Sequence, residues 1–154
     1  MVAAYRVLGI AAATGRIGYA LLSDGDLVDW GMSRPASLSP ELSAAQTKEW
    51  LSMFQPEVVV TEKLSASCRK RGRTLALIPA ISQAANEAGA LTVSVERVNG
   101  YKNKYAEARA LVRRFPDLSD HVPKIPPIWL PEPRPMIIFE ALALALSVRQ
   151  PEDV

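Results

Sequence analysis

The stretch Leu8-Gly9-Ile10-Ala11-Ala12-Ala13-Thr14-Gly15-Arg16-Ile17-Gly18-Tyr19-Ala20-Leu21-Leu22 decides how this chain is read. Its first residues end an apolar, partly β-branched run from Val2 to Ile10, the composition of a buried strand. Thr14-Gly15-Arg16 is a tight turn, and Gly18 to Leu22 forms the returning strand of a hairpin. Ser23-Asp24-Gly25-Asp26 is a second turn signal, after which Leu27 to Met32 supplies a third strand, so the chain opens as a meander.

Beyond the meander the period changes. Ser39 caps a helix that runs to Phe54, with Pro40 at its first position and Glu41 in its first turn. Gln55-Pro56-Glu57 ends it, and Val58-Val59-Val60-Thr61 is continuous in its apolarity, as expected of a central strand buried on both faces. A helix from Thr74 to Ala88 stops at Gly89, Leu91 to Val95 is the next strand, and Lys104 to Phe115 is again an amphipathic helix. Pro123 to Pro135 is too dense in proline for a regular element, and Met136 to Val148 is an almost wholly apolar helix. A meander followed by alternating helices and strands predicts an α/β fold of the RNase H-like layout: a mixed five-stranded sheet with helices on both faces.

Length and composition bound the rest. The chain has 154 residues, 49% of them hydrophobic, enough for one domain with a continuous core; residues 1–150 are read as that domain and 151–154 as a tail. A formal net charge of +2 does not by itself demand a nucleic-acid partner. The single cysteine, Cys68, excludes an intrachain disulfide and a cysteine zinc site, and fits a reducing compartment. No run of about eighteen apolar residues and no secretory leader pattern occurs, so the expectation is a cytoplasmic protein without a membrane.

In this layout the first and fourth strands end side by side and a late helix packs across them. Three positions converge: the residue after Ile10, the residue after Thr61 and a point on the last helix. Carboxylates there hold divalent cations, which need several hard oxygen ligands to align an attacking water with a leaving oxygen. The chain offers Ala11, Glu62 and Glu140, the last being the only charge between Met136 and Val148. An acid in an apolar helix is costly to ionise without a cation or strong hydrogen bonds, which makes Glu140 a candidate ligand.

These residues carry a resemblance. Leu8 to Tyr19 resembles the opening motif of the RuvC family of Holliday-junction resolvases, in which Gly-Ile-Asp-Pro-Gly precedes a basic residue and a Gly-aromatic pair. Glu62 falls on that family's strand-terminal glutamate, and Phe139-Glu140-Ala141-Leu142-Ala143-Leu144-Ala145 is similar to its C-terminal Asp-Ala-Leu-Ala helix. Closer still are bacterial RuvC-like proteins, similar in the Arg-rich segment around Cys68, in Arg114 to Leu118 and in the Trp129 to Leu146 tail. The resemblance implies a divalent-metal-dependent endodeoxyribonuclease using Mg²⁺ or Mn²⁺ at Glu62 and Glu140, with branched or four-way-junction DNA as partner and no small-molecule cofactor. It also implies a homodimer, since cutting two symmetric strands takes two sites related by a two-fold axis. The departures are as specific as the matches: the family's first aspartate is Ala11, its following proline Ala12, its third carboxylate Ile137, and its final aspartate Glu140.

A basic segment accompanies these positions. Lys63, Arg69, Lys70, Arg71 and Arg73 crowd the chain after Glu62, and Lys102 and Lys104 follow the next strand, all at the carboxyl edge of the sheet where phosphates would lie. Ser65, Ser67 and Thr74 are neutral phosphate donors, and Tyr101 or Tyr105 a platform for an unpaired base. The bland alternatives are a solvated basic loop, Glu62 paired with Lys63 or an arginine, and Glu140 paired with Arg134 or Arg16. His121 is expected at the surface and Trp30, Trp50 and Trp129 in packing, with Trp129 alone, in the proline-rich loop, placed to contact a partner as well. Three functions follow: a branched-DNA-binding protein whose nuclease activity is weak or lost; a working endonuclease with Glu132 or Asp117 completing the site; or a non-enzymatic interaction domain meeting another chain through Pro123 to Pro135.

Overall fold

The computed structural model describes residues 4–64, 70, 72–96 and 103–148. Strands β1 (Arg6–Ala13), β2 (Arg16–Ser23) and β3 (Asp26–Ser33) form the meander; α1 (Pro40–Phe54), β4 (Val58–Glu62), α2 (Arg73–Glu87), β5 (Leu91–Val95), α3 (Lys104–Arg114) and α4 (Met136–Leu146) follow. The five strands lie in the order β3-β2-β1-β4-β5, antiparallel within the meander and parallel from β1 through β4 to β5. This is the α/β arrangement the sequence predicts, with a mixed sheet.

Alternation along β1 divides the core. Leu8, Ile10 and Ala12 pack with Trp50, Phe54, Leu77 and Ile81 of α1 and α2 on one face. Val7, Ala11 and Ala13 pack with Leu111 of α3 and with Ile137, Phe139 and Ala141 of α4 on the other. The central strand β4 is buried on both faces as expected, from Val58 to Thr61.

Differences from the expected boundaries have local causes. β1 starts at Arg6 and runs on to Ala13 rather than stopping at Ile10, because Ala11, Ala12 and Ala13 pair with Gly18, Ile17 and Arg16 of β2. Short 3-10 turns at Pro35–Leu38 and Pro116–His121 begin at prolines that the sequence reading leaves in loops. Helix α1 is capped as read: the Ser39 side chain accepts from the Leu42 N–H. Helix α2, by contrast, starts at Gly72 with no side-chain cap. No helix among the described residues is long and apolar enough to cross a membrane.

Candidate functional site

Register brings the expected positions together. Gly9 of β1 pairs with Val60 of β4, so Ala11 and Glu62, each two residues further on, end at one level of the sheet. Helix α4 crosses β1 at backbone distance. A Cβ built on Gly9 would lie 2.1 Å from the Ala141 carbonyl oxygen and 2.9 Å from the Ala145 nitrogen, so only glycine permits this approach. The approach sets Glu140, one residue before Ala141, over the strand end, with Ile137 on the same helix face three residues earlier.

Glu62 and Glu140 do converge, and they converge on a lysine. The Lys70 ammonium lies 3.1 Å from Glu62 Oε1 and 3.2 Å from Glu140 Oε2. All three side chains are largely withdrawn from solvent, at 18%, 10% and 7% exposure for Lys70, Glu62 and Glu140. Pairing of this kind offsets the desolvation cost that makes an isolated buried carboxylate prohibitive. The sequence offers Lys63 or an arginine as partner for Glu62, and Arg134 or Arg16 for Glu140. Lys70 bridges the two acids, and the Arg16 guanidinium also feels the Glu140 carboxylate.

The other two positions are apolar and closed. Ala11 is 1% and Ile137 0% exposed, and both belong to one buried cluster. Ile137 fills the space left by Gly18, the register partner of Ala11: a Cβ on Gly18 would meet the Ile137 side chain at 2.8 Å. The two departures from the carboxylate pattern are therefore neighbours in space, joined across Gly18. Tested against a two-cation centre, the described donors do not fit. Two carboxylates sharing one ammonium leave a divalent pair short of the several oxygen ligands it requires, and among the described residues no group of three or more His, Cys, Asp or Glu could hold a metal.

Arg16, beside the β1–β2 turn, is buried and serves as a clamp. It donates to the backbone carbonyls of Thr14 at 2.7 Å, Arg134 at 3.1 Å and Pro133 at 3.4 Å, and pairs with Glu132 at 3.0 Å. Burial pulls its guanidinium below its ordinary pKa, the Glu140 carboxylate opposes that shift, and Arg134 adds to it. Glu132, considered above as a completing acid, is bound by Arg16 and also by Lys104, so it ties the proline-rich segment to β2 and α3. The carbonyls of a chain rich in proline have no ladder to join, which is why an arginine with five donors is used there.

The remaining expected residues are dispersed. Lys63 and Arg73 are exposed, while Arg69, Arg71, Lys102, Ser65, Ser67, Cys68 and Tyr101 lie outside the described residues. Tyr105 is partly buried against the core cluster. His121 stands edge-on to Trp30 with ring centres 6.2 Å apart, so it packs on the meander instead of standing free at the surface. Trp50 is a core residue, and Trp129 is 79% exposed between Ile128 and Leu130.

No protein-family model matches the chain, and no curated protein matches its sequence. Solved structures do resemble it. RuvC of Thermus thermophilus superposes with a TM-score of 0.65 at 21% identity, over 92% of each chain. The same protein in complex with a Holliday junction substrate gives 0.62 at 20% identity, over 93% of this chain and 91% of that one. The Fowlpox virus resolvase, in complex with its substrate Holliday junction DNA, gives 0.55 at 13% identity, over 92% and 96%. With strand order, register and the crossing of α4 over β1, these likenesses establish that the chain has the RuvC-like form of the RNase H fold.

Proposed function

We propose that this chain binds branched DNA, four-way junctions foremost, along the carboxyl edge of its sheet, and that its own nuclease activity is weak or lost. The observation that carries the reading is Lys70, whose ammonium sits between the two remaining carboxylates while Ala11 and Ile137 close the rest of the centre. A scaffold of this shape with an internal ammonium where a metal cation would sit is suited to holding DNA without cutting it. Lys63 and Arg73, both exposed, are the described cations proposed to meet phosphates, and Arg69, Arg71 and Lys102 of the same basic segments are proposed to join them. Lys70 and Lys104 hold carboxylates and steer by field more than by contact. A homodimer, with its two edges facing the arms of a junction, is part of the proposal.

The convergence of Glu62 and Glu140 on one cation favours a second reading: these acids are close enough to share a metal if Lys70 withdraws, giving a Mg²⁺- or Mn²⁺-dependent endonuclease. Titration of labelled four-way junction against linear duplex of the same sequence, with Mg²⁺ or Mn²⁺ present, separates the two. The expected result is a junction-selective shift without product bands, whose salt dependence weakens by about 0.9 in log–log slope for each phosphate-contacting cation neutralised, as in Lys63→Gln. Cleavage that is lost in Glu62→Gln would establish the second reading. Equal, weak binding to both DNAs would overturn both and direct attention to the exposed Ile128-Trp129-Leu130 run as a protein contact.

A further inference from the structure

Across the sheet from the carboxylates, at the same carboxyl edge, a cleft of about 220 Å³ is lined by Ala13, Thr14, Gly15, Ser37, Arg73, Thr74 and Leu77. That volume is many times the ~30 Å³ share of a water molecule, so the cleft is roomy enough for a larger polar guest. Among the described residues no acid lines it, and Arg73 does.

Three features of the cleft favour an anion. The 15-residue helix α2 begins here behind Gly72, with no side-chain cap and no acid in its first turn, so the positive end of its dipole is left uncompensated by its own sequence. Gly15, at φ +81, has nothing within 4 Å of where a Cβ would stand, so the turn presents bare backbone. The third feature is independent of helix geometry: Thr74 is only 5% exposed, yet no described group hydrogen-bonds to its hydroxyl. A buried hydroxyl without a protein partner costs free energy unless water, an ion or a ligand completes it, and in this cleft it faces the space where an anion would sit. By contrast, the Ser37 hydroxyl in the same wall donates to the Arg34 carbonyl at 2.7 Å.

We propose that this cleft is a phosphate subsite. An oxyanion of a phosphodiester accepts from the Thr74 hydroxyl and from the uncapped N–H groups at the start of α2, with the Arg73 guanidinium closing over it. Thr74 and Arg73 would then fix the register of one DNA strand on the side of the sheet opposite Lys70. The assignment rests on the nucleic-acid reading for its source of phosphate, although the site itself does not.

The test uses Thr74→Val, which keeps shape and removes the hydroxyl, beside Thr74→Ser, which keeps the hydroxyl. Amide resonances of Gly15, Arg73 and Thr74 are followed while inorganic phosphate is added, and junction affinity is measured in parallel. Expected are saturable phosphate-induced shifts at those three amides in the wild type and Thr74→Ser and their loss in Thr74→Val. Junction affinity should fall about tenfold in Thr74→Val, the order set by one hydrogen bond to an ionised partner, with no fall in melting temperature. If the wild type binds junction and Thr74→Val binds it equally, with no phosphate shifts in either, the subsite is refuted while DNA binding stands. If phosphate shifts the three amides but no junction binds, the subsite stands, its ligand is a free phosphate compound, and the nucleic-acid reading fails.

Discussion

At the residue scale, glycine sets how closely helix and sheet approach. Gly9 reads in the sequence as one glycine of a short motif, and only the structure gives its reason, the Ala141 carbonyl 2.1 Å from where a Cβ would be. Backbone atoms cannot swing aside as a flexible side chain would, so Gly9→Ala must push α4 off the sheet. The expected cost is about 3 kcal/mol, read as a lowered urea midpoint at unchanged slope. Ala11 and Ile137 stand out in the sequence as departures from the carboxylate pattern of the resemblance, because that pattern has fixed positions. Their contact through Gly18 was not legible, since nothing in linear spacing places residue 137 against residue 18. Lys70 reads in the sequence as a cation near Glu62, but its two carboxylate partners lie 8 residues before it and 70 after it, and linear spacing advertises neither as the end of so long a side chain.

At the scale of elements, one ammonium joins β4 to α4. Replacing it in Lys70→Met leaves Glu62 and Glu140 facing each other without that cation, and loss of one member of a largely buried ionic group costs about 3 kcal/mol. The wild type is expected to melt at the same temperature in chelator as in millimolar Mn²⁺. Lys70→Met should melt lower in chelator and regain part of the difference when Mn²⁺ is added, because a ligand bound only by the folded state stabilises by mass action. A Mn²⁺-dependent rise in the wild type would show instead that metal already competes with the lysine. The helices and strands themselves were legible, since apolar periodicity and capping residues such as Ser39 are local signals. The uncapped start of α2, one residue before the Thr74 that the sequence indicates, is hidden for the complementary reason: Gly72 offers no side chain to mark it.

At the scale of the whole molecule, topology is readable because a meander followed by parallel strands joined through helices admits few arrangements, and the order β3-β2-β1-β4-β5 is the one that puts strand one in the middle. Central position has a dynamic consequence. The amides of β1 and β4, buried between two layers, are expected to exchange with solvent only through global unfolding, and those of the edge strands β3 and β5 through smaller openings, as native-state hydrogen exchange would measure. Equal protection in centre and edge would contradict this. The Arg16 clamp joins segments that are made far apart in time. Its bonds to Pro133 and Arg134 span 117 and 118 residues, and Gly9 waits for Ala141 over a still longer loop. A ribosome therefore delivers the middle strand of this sheet long before the helix that covers it. In the interval the nascent molecule carries an uncovered apolar floor of Val7, Ala11 and Leu22, a surface that invites chaperone capture.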